Sequence, residues 1–200
     1  MLQVNYRGST GFGFQHYDAA RQNFGSGILN DIIDATQWAV ESGVADRDRI
    51  AILGASYGGY ATLMALTREP DLFRCGVAIA GVYNLRKQMV DYVAGGRGGY
   101  LAYEYWKSMV ADAKKNREQM DGISPINQVA AIANPIFVIH GEHDRVVSIG
   151  QSQALVRELK KAGKQHRYLP VKESGHGGWE EKYNVKVHDE ILAFLEENLR

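Results

Sequence analysis

The order of apolar and polar positions along the chain predicts an alternation of strands and helices. Short, almost wholly apolar runs at 50–53, 76–80 and 136–140 predict buried strands, because a strand covered on both faces loses the apolar/polar alternation. Apolar residues at helical spacing predict helices at about 28–42, from just after residue 56 to about 67, at about 151–162 and at about 185–199. Residues 2–6 and 166–171 are predicted to be further strands.

This succession predicts an α/β fold with a mostly parallel sheet, since helices that connect parallel strands cover both of its faces. The 200 residues, of which 45% are hydrophobic, suffice for one core, so residues 1–200 are expected to form a single domain.

The segment 83–122 fits the alternation least. Its aromatic residues surround a glycine-rich "GGRGG" at 95–99, and a charged stretch, "ADAKKNREQMD", follows. The aromatic part is predicted either to line a pocket for an apolar side chain or to form a helical pair that packs on the domain. The charged stretch is predicted to be a solvated helix face.

Charge and composition restrict the partners. Lys plus Arg and Asp plus Glu both number 23, so there is no electrostatic basis for binding nucleic acid or an anionic membrane surface. No apolar run approaches the roughly 20 residues that span a bilayer, and no signal-peptide pattern opens the sequence, which favours a cytoplasmic location. The single cysteine, Cys75, lies in an apolar run and is predicted to be buried and inert.

The first candidate for chemistry is Ser56, in the stretch "GASYG" at 54–58. This stretch matches GxSxG, and it has the required context of a strand before it and a helix after it. Small neighbours let strand and helix approach closely around a strained serine, and the following helix N-terminus favours developing negative charge. The motif therefore predicts a nucleophile.

A serine hydroxyl needs a base, and the base needs an orienting acid. The predicted strand at 136–140 ends in a loop with Glu142, His143 and Asp144, and His176 follows the strand at 166–171. Asp144 is favoured over Glu142 as the acid. Ser56, Asp144 and His176 then stand in the chain order of α/β hydrolases, each after a strand end.

His140, His143 and Asp144 also suggest a metal cluster. Alternation along a strand sends side chains at odd separations to opposite sides, so His140 and His143 are not expected to meet. Neither a metal nor another cofactor is predicted.

Several stretches carry a resemblance to a known family: "VNYRGSTGFG", "RIAILGASYGGYATLMAL", "PIFVIHGEHDRVV" and "KESGHG". With them the chain resembles the catalytic domain of the prolyl oligopeptidase family of serine peptidases, especially its acylaminoacyl-peptidase and dipeptidyl-peptidase branches. The resemblance implies an α/β-hydrolase fold and cleavage of short peptide substrates, with release of an N-terminal dipeptide, amino acid or blocked amino acid.

The resemblance also implies roles for residues. Ser56 is the implied nucleophile, His176 the general base and acid, Asp144 the orienting carboxylate, and the Tyr57 backbone N–H an oxyanion donor. The substrate pocket is expected among the aromatic residues of the insertion and the neighbours of Ser56 and Asp144. Its candidates are Tyr57, Tyr83, Tyr92, Tyr100, Trp106 and Val146.

Departures from the family pattern set further expectations. Members carry a β-propeller and the first strands of the hydrolase sheet ahead of the point where this sequence begins, and the second oxyanion donor belongs to that part. The chain is therefore expected to be the C-terminal part of a longer peptidase, in which the strand at 2–6 lacks both neighbours. Trp179 stands close to a position where the family commonly has phenylalanine, which is expected to alter the pocket rim.

Two alternatives remain at this point. A carboxylesterase or thioesterase would use the same three residues, because fold and triad do not determine the acyl group. A weakly active or inactive fragment would instead associate through its exposed sheet edge, for example as a homo-oligomer.

Overall fold

The computed structural model describes residues 1–94, 99–112 and 115–200, and within them four parallel strands form one sheet in the order β1-β2-β3-β4. The strands are β1 Ala51–Ala55, β2 Cys75–Ile79, β3 Ile136–Gly141 and β4 His166–Val171. The α-helices of the described residues are α1 Phe14–Asp18, α2 Gly27–Glu41, α3 Tyr57–Arg68, α4 Leu85–Ala94, α5 Gly99–Met109, α6 Arg117–Gly122, α7 Gly150–Lys161 and α8 Glu181–Asn198. Short 3-10 turns occupy Arg47–Arg49, Pro125–Asn127 and Val129–Ala131.

Helices cover both faces of the sheet, as predicted. Alternate residues of β3 point to opposite faces: Phe137 and Ile139 pack with Phe194 of α8, whereas Ile136 and Val138 belong to the larger cluster that includes residues of α2, α3 and α7. The sheet is thus the middle layer between α8 and the other helices.

The predicted strand at 2–6 is wrong. These residues form no strand, and the chain at Tyr6 and Arg7 is hydrogen-bonded instead to α1 and α2. The Tyr6 carbonyl accepts from His16 Nε2 at 3.0 Å, and the Arg7 N–H donates to Asp31 Oδ2 at 2.9 Å. A strand needs a partner as well as suitable residues, and within the described residues β1 pairs only with β2.

The segment 83–122 forms helices, so its helical-pair interpretation is confirmed for the described residues. Tyr92 of α4 and Trp106 of α5 are in ring contact, with centroids 5.8 Å apart. The charged side chains at the start of α6, Arg117 and Glu118, are exposed as predicted. Most of the glycine-rich "GGRGG", residues 95–98, and residues 113–114 of the charged stretch lie outside the described residues.

The remaining predicted elements occur close to their predicted positions, although α8 begins at Glu181, four residues before the predicted start. Cys75 is fully buried, and this burial raises the pKa of its thiol to about 11, as fits an inert side chain. Among the described residues, no helix combines the length and the apolar content needed to cross a membrane.

Candidate active site

Ser56 occupies a strained turn between β1 and α3. Its backbone has φ 57° and ψ −115°, and a positive φ is uncommon for a residue with a side chain. The Ser56 N–H donates to the Ile79 carbonyl at 2.8 Å, which extends the pairing of β1 with β2 by one residue before the chain turns. Such strain persists only where the surroundings enforce it.

Glycine at 54 is enforced by close packing. A Cβ on Gly54 would lie 2.6 Å from the Cα of Gly58, so a side chain there would collide with the first turn of α3. A Cβ on Gly59 would lie 2.8 Å from the Ile79 carbonyl oxygen, whereas one on Gly58 would meet nothing within 4 Å. The steric requirement therefore falls on Gly54 and Gly59, and not on the second glycine of the GxSxG motif.

Asp144 and His176 form a direct pair. The His176 Nδ1–H donates to Asp144 Oδ2 at 2.7 Å, which leaves His176 Nε2 available for a second proton. The other carboxylate oxygen, Oδ1, accepts from the backbone N–H groups of Val146 and Val147 at 2.8 and 2.9 Å. The Asp144 side chain is fully buried, while that of His176 is 27% exposed, so the histidine presents its free edge outward.

The hydrogen bonds keep Asp144 ionised. Burial alone would raise the pKa of its carboxyl group, but donors from His140, His176, Val147 and Val146 outweigh burial and hold the pKa well below its usual range. A permanently charged carboxylate at this position stabilises a positive charge on His176.

The loops that carry Asp144 and His176 are packed against each other. The His143 N–H donates to the Ser174 carbonyl at 2.9 Å, and the Trp179 indole N–H donates to the Gly175 carbonyl at 2.9 Å. A Cβ on Gly141 would collide with the carbonyl oxygens of Ser174 and Gly175. Gly141, which was not assigned this role from the sequence, therefore determines where the His176 loop lies, and the Trp179 bond holds that loop together internally.

Ser56 lies at the same edge of the sheet as this pair, because β1, β3 and β4 are parallel and each loop follows a strand's carboxyl end. Among the described residues, however, no hydrogen bond joins the Ser56 hydroxyl to His176. The roles of Ser56, Asp144 and His176 accordingly stay predictions.

Tyr57 begins α3 directly after Ser56. As the first helical residue it has no acceptor within the helix for its N–H, which suits the predicted oxyanion role. Its side-chain hydroxyl donates to the Phe24 carbonyl at 2.8 Å, and burial raises the pKa of that hydroxyl. The ring is therefore held in place against the loop that precedes α2.

Three of the predicted pocket residues belong to one aromatic cluster around Phe24. The Phe24 ring lies 4.6 Å from the ring of Tyr57 and 5.3 Å from that of Trp106, which in turn contacts Tyr92. Phe24 itself was missed, since it lies in a short polar, glycine-containing loop with no periodic pattern.

The other predicted pocket residues are scattered. Tyr83 is fully buried in the core, Tyr100 is 69% exposed and contacts Tyr103, and Val146 is 46% exposed beside Asp144. The pocket as a whole stays a prediction.

His140 was considered from the sequence only as a metal ligand, and its contact with Asp144 was missed. It is fully buried, and its Nε2 lies 3.2 Å from Asp144 Oδ2, whereas His143 is exposed. The two histidines thus differ in burial, and His143 lies beyond the end of β3, where strand alternation no longer applies. The available signal was a histidine in an otherwise apolar strand, because a buried polar side chain requires a partner.

Comparison with known proteins places the chain in a family. A sequence model of the prolyl oligopeptidase family matches residues 1–200. Dipeptidyl peptidase family member 6 of Caenorhabditis elegans is 35% identical over 204 residues, covering 100% of this chain and 27% of that protein. Dipeptidyl aminopeptidase BIII of Pseudoxanthomonas mexicana is 33% identical over 186 residues, covering 88% of this chain and 26% of that protein.

A solved structure gives the same result. The puromycin-hydrolyzing peptidase of Mycobacterium tuberculosis matches with a TM-score of 0.90 and 28% identity, over 98% of this chain and 29% of that one. The chain thus spans about a quarter of the length of the curated relatives it matches. The match along all 200 residues shows that the chain belongs to the prolyl oligopeptidase family and has its α/β-hydrolase fold.

Proposed function

We propose that this chain carries the catalytic site of a serine peptidase that cleaves short peptides through a Ser56–His176–Asp144 triad. The observation that carries the proposal is the 2.7 Å bond from His176 Nδ1 to a buried, ionised Asp144. It lies at the sheet edge where the chain turns sharply at Ser56, with φ 57°. A nucleophile, a base and an orienting carboxylate in this arrangement suit acyl transfer.

The reaction has two halves. Ser56 Oγ attacks the carbonyl carbon of the scissile peptide bond while its proton passes to His176 Nε2, and Asp144 stabilises the imidazolium that results. The C–N bond then breaks, and His176 returns the proton to the departing amine. Water attacks the remaining serine ester by the same route in reverse, which releases the acid product and restores Ser56.

The oxyanion of each half-reaction needs donors. The free N–H of Tyr57 is the donor that this chain supplies, and the N-terminus of α3 adds the favourable end of its dipole. A single missing donor costs about 100-fold to 1,000-fold in turnover.

For the substrate we propose peptides with a short N-terminal portion before the scissile bond, released as a dipeptide, an amino acid or a blocked amino acid. The names of the curated relatives support a dipeptidyl unit. The aromatic cluster of Phe24, Tyr57 and Trp106 includes the residue that follows Ser56 in the chain, which supports an apolar substrate portion near the serine.

The acyl group that the enzyme transfers is identified by comparing kcat/KM for dipeptidyl, aminoacyl and acylaminoacyl anilides with kcat/KM for simple acyl esters. A preference for the peptide anilides supports the peptidase. Activity on esters alone would establish the esterase alternative.

A fluorophosphonate probe tests the triad. The purified protein is expected to be labelled stoichiometrically at Ser56, as read by peptide mapping, and Ser56→Ala is expected to abolish both labelling and turnover. Ser148→Ala, which changes a serine outside the predicted triad, serves as the control and should label fully. Labelling of Ser56→Ala equal to that of the parent would refute the assignment, and an unlabelled but folded parent would favour the inactive, associating alternative.

A further inference from the structure

The buried histidine at the end of β3 contacts the same carboxylate as His176. His140 Nε2 lies 2.9 Å from the Val147 carbonyl oxygen and 3.2 Å from Asp144 Oδ2, and its Nδ1 lies 2.6 Å from the Ser152 hydroxyl. Both side chains of the His140–Asp144 pair are wholly inaccessible to water. The ring therefore has a polar partner at each nitrogen, although it lies in an apolar strand.

The location of one proton follows from these partners. Nε2 faces two groups that can only accept, a backbone carbonyl and an ionised carboxylate, so it must carry a hydrogen. That hydrogen is shared between the two acceptors, as in other three-centre bonds. His140 is thus a donor to Asp144 Oδ2 alongside His176, and the two donors approach one oxygen from different loops and strands.

His140 also acts on the other carboxylate oxygen through Val147. The Val147 carbonyl is held by His140, and the Val147 N–H donates to Asp144 Oδ1 at 2.9 Å. Rotation of the carboxylate would break contacts at both oxygens. The direction in which Asp144 presents Oδ2 to His176 consequently depends on the His140 ring.

We propose that His140 is a positioning residue of the peptidase site: it holds the Asp144 carboxylate against His176, with Ser152 holding the His140 ring. This inference rests on the proposed triad. His140 touches neither the substrate nor Ser56 in this scheme, and acts only through Asp144.

Two buried tyrosine hydroxyls near the pair carry no charge that would compete, and the titratable residues that flank Asp144 in the chain, Glu142, His143 and Arg145, are exposed. Tyr83, which follows β2, faces Ser152, and Tyr92 of α4 faces Asp144; burial raises the pKa of both hydroxyls, so both are neutral. The remaining hydrogen-bond donors to Asp144 are His176 on the loop after β4 and the backbone of Val146 and Val147. A change at His140 therefore acts mainly on Asp144 and, through Asp144, on His176.

A matched pair of variants separates positioning from mere packing. In His140→Gln the side-chain amide nitrogen can take the place of Nε2 and keep the donor to Asp144. In His140→Asn the shorter amide reaches only the level of Nδ1, so the donor to Asp144 is lost. Ser152→Ala is a milder third variant, which leaves the donor in place and frees the ring.

The measurements are kcat/KM as a function of pH and the proton resonance of the His176–Asp144 bond. In the full protein, His140→Asn is expected to lower kcat/KM by roughly 10-fold to 100-fold, the range that a displacement of about 1 Å produces. Its acid limb should move to lower pH, because a carboxylate that is displaced from His176 stabilises the imidazolium less strongly. His140→Gln should retain most of the activity and the parental acid limb.

Several results would overturn the proposal: parental kcat/KM in His140→Asn, an acid limb that does not move to lower pH, or equal losses in the Asn and Gln variants at matched melting temperature. If His140→Asn does not fold, Ser152→Ala decides. A smaller shift of the acid limb to lower pH is then expected, and an unmoved acid limb would contradict the role. Should the parent not be labelled at Ser56, the proposed function fails by itself. In that case the proton resonance of the His176–Asp144 bond tests the positioning role of His140. A shift in the Asn variant that the Gln variant restores supports the role, and an unchanged resonance refutes it.

Discussion

The contact between the two loops of the site makes Gly141→Ala the sharpest perturbation. A Cβ on Gly141 would lie 2.9 Å from the Ser174 carbonyl carbon and closer still to the carbonyl oxygens of Ser174 and Gly175. Carbon atoms in contact prefer a separation of about 3.5–4.0 Å, so the loop must retreat by roughly 0.6–1 Å. His176 lies on that loop, two residues beyond Ser174.

The retreat is large compared with the bond it affects. The His176–Asp144 distance of 2.7 Å would pass the practical limit of about 3.2 Å for an N–H···O bond. We therefore expect kcat/KM on a peptide anilide to fall by about 100-fold. Overpacking at the site should also lower the free energy of unfolding by about 1–3 kcal/mol, measured by urea denaturation.

Gly175→Ala is the matched control. It changes a glycine in the same contact, but a Cβ there would meet no atom within 4 Å. Its kcat/KM should stay within about twofold of the parent, and its stability within about 0.5 kcal/mol. Parental activity and stability in Gly141→Ala, or equal losses in both variants, would refute the reasoning.

Three further predictions concern the same edge of the sheet. Gly54→Ala should lose about 1–3 kcal/mol of stability and its fluorophosphonate labelling, because its Cβ meets the backbone of α3. Gly58→Ala has open space around its Cβ and should keep both the stability and the labelling. Equal melting temperatures of the two variants would contradict this prediction. Trp179→Phe removes the 2.9 Å hydrogen bond to the Gly175 carbonyl, which should lower the free energy of unfolding by about 1 kcal/mol and slow the fluorophosphonate labelling. Labelling at the parental rate would show that this bond does not hold the loop. Because the pKa of folded Asp144 is lowered, its contribution to stability is complete above the unfolded value of about 3.9 and is lost as pH falls through the folded pKa. The parent should therefore lose more stability than Asp144→Asn on acidification from pH 7 to pH 2, and parallel curves would contradict the assignment.

The sheet was predictable where burial alone decides the structure. The strands at Ala51–Ala55, Cys75–Ile79 and Ile136–Gly141 are continuous apolar runs, and such runs are what the middle layer of a three-layer fold requires. The segment 2–6 alternates apolar and polar residues, as a half-exposed strand does, but it forms no strand, because strand formation depends on a neighbour that composition does not reveal. The first turn of α8 was missed because residues 181–184 are mostly polar, although Tyr183 packs on the core cluster under α8.

The pairing of Asp144 with His176 was predictable because chain order and strand ends suffice for it. The contact of His140 with Asp144 was not predicted. Alternation along β3 determines the face on which His140 lies, but the partner depends on how the chain turns after Gly141. Phe24 was missed for a similar reason, since its contacts with Tyr57 and Trp106 join three segments distant in sequence.

Backbone strain at this edge is shared among several strand ends, which affects how Ser56 is interpreted. Ala80 and Glu173, which follow β2 and β4, also have positive φ, at 48° and 53°. Each such residue costs on the order of 1–3 kcal/mol, so strain marks the edge of the sheet and does not by itself identify a nucleophile. Two features single out Ser56: α3 begins at the next residue, and Gly54 lets the first turn of that helix approach β1. The strained serine is thereby fixed beside the free N–H of Tyr57, where an oxyanion would need both groups.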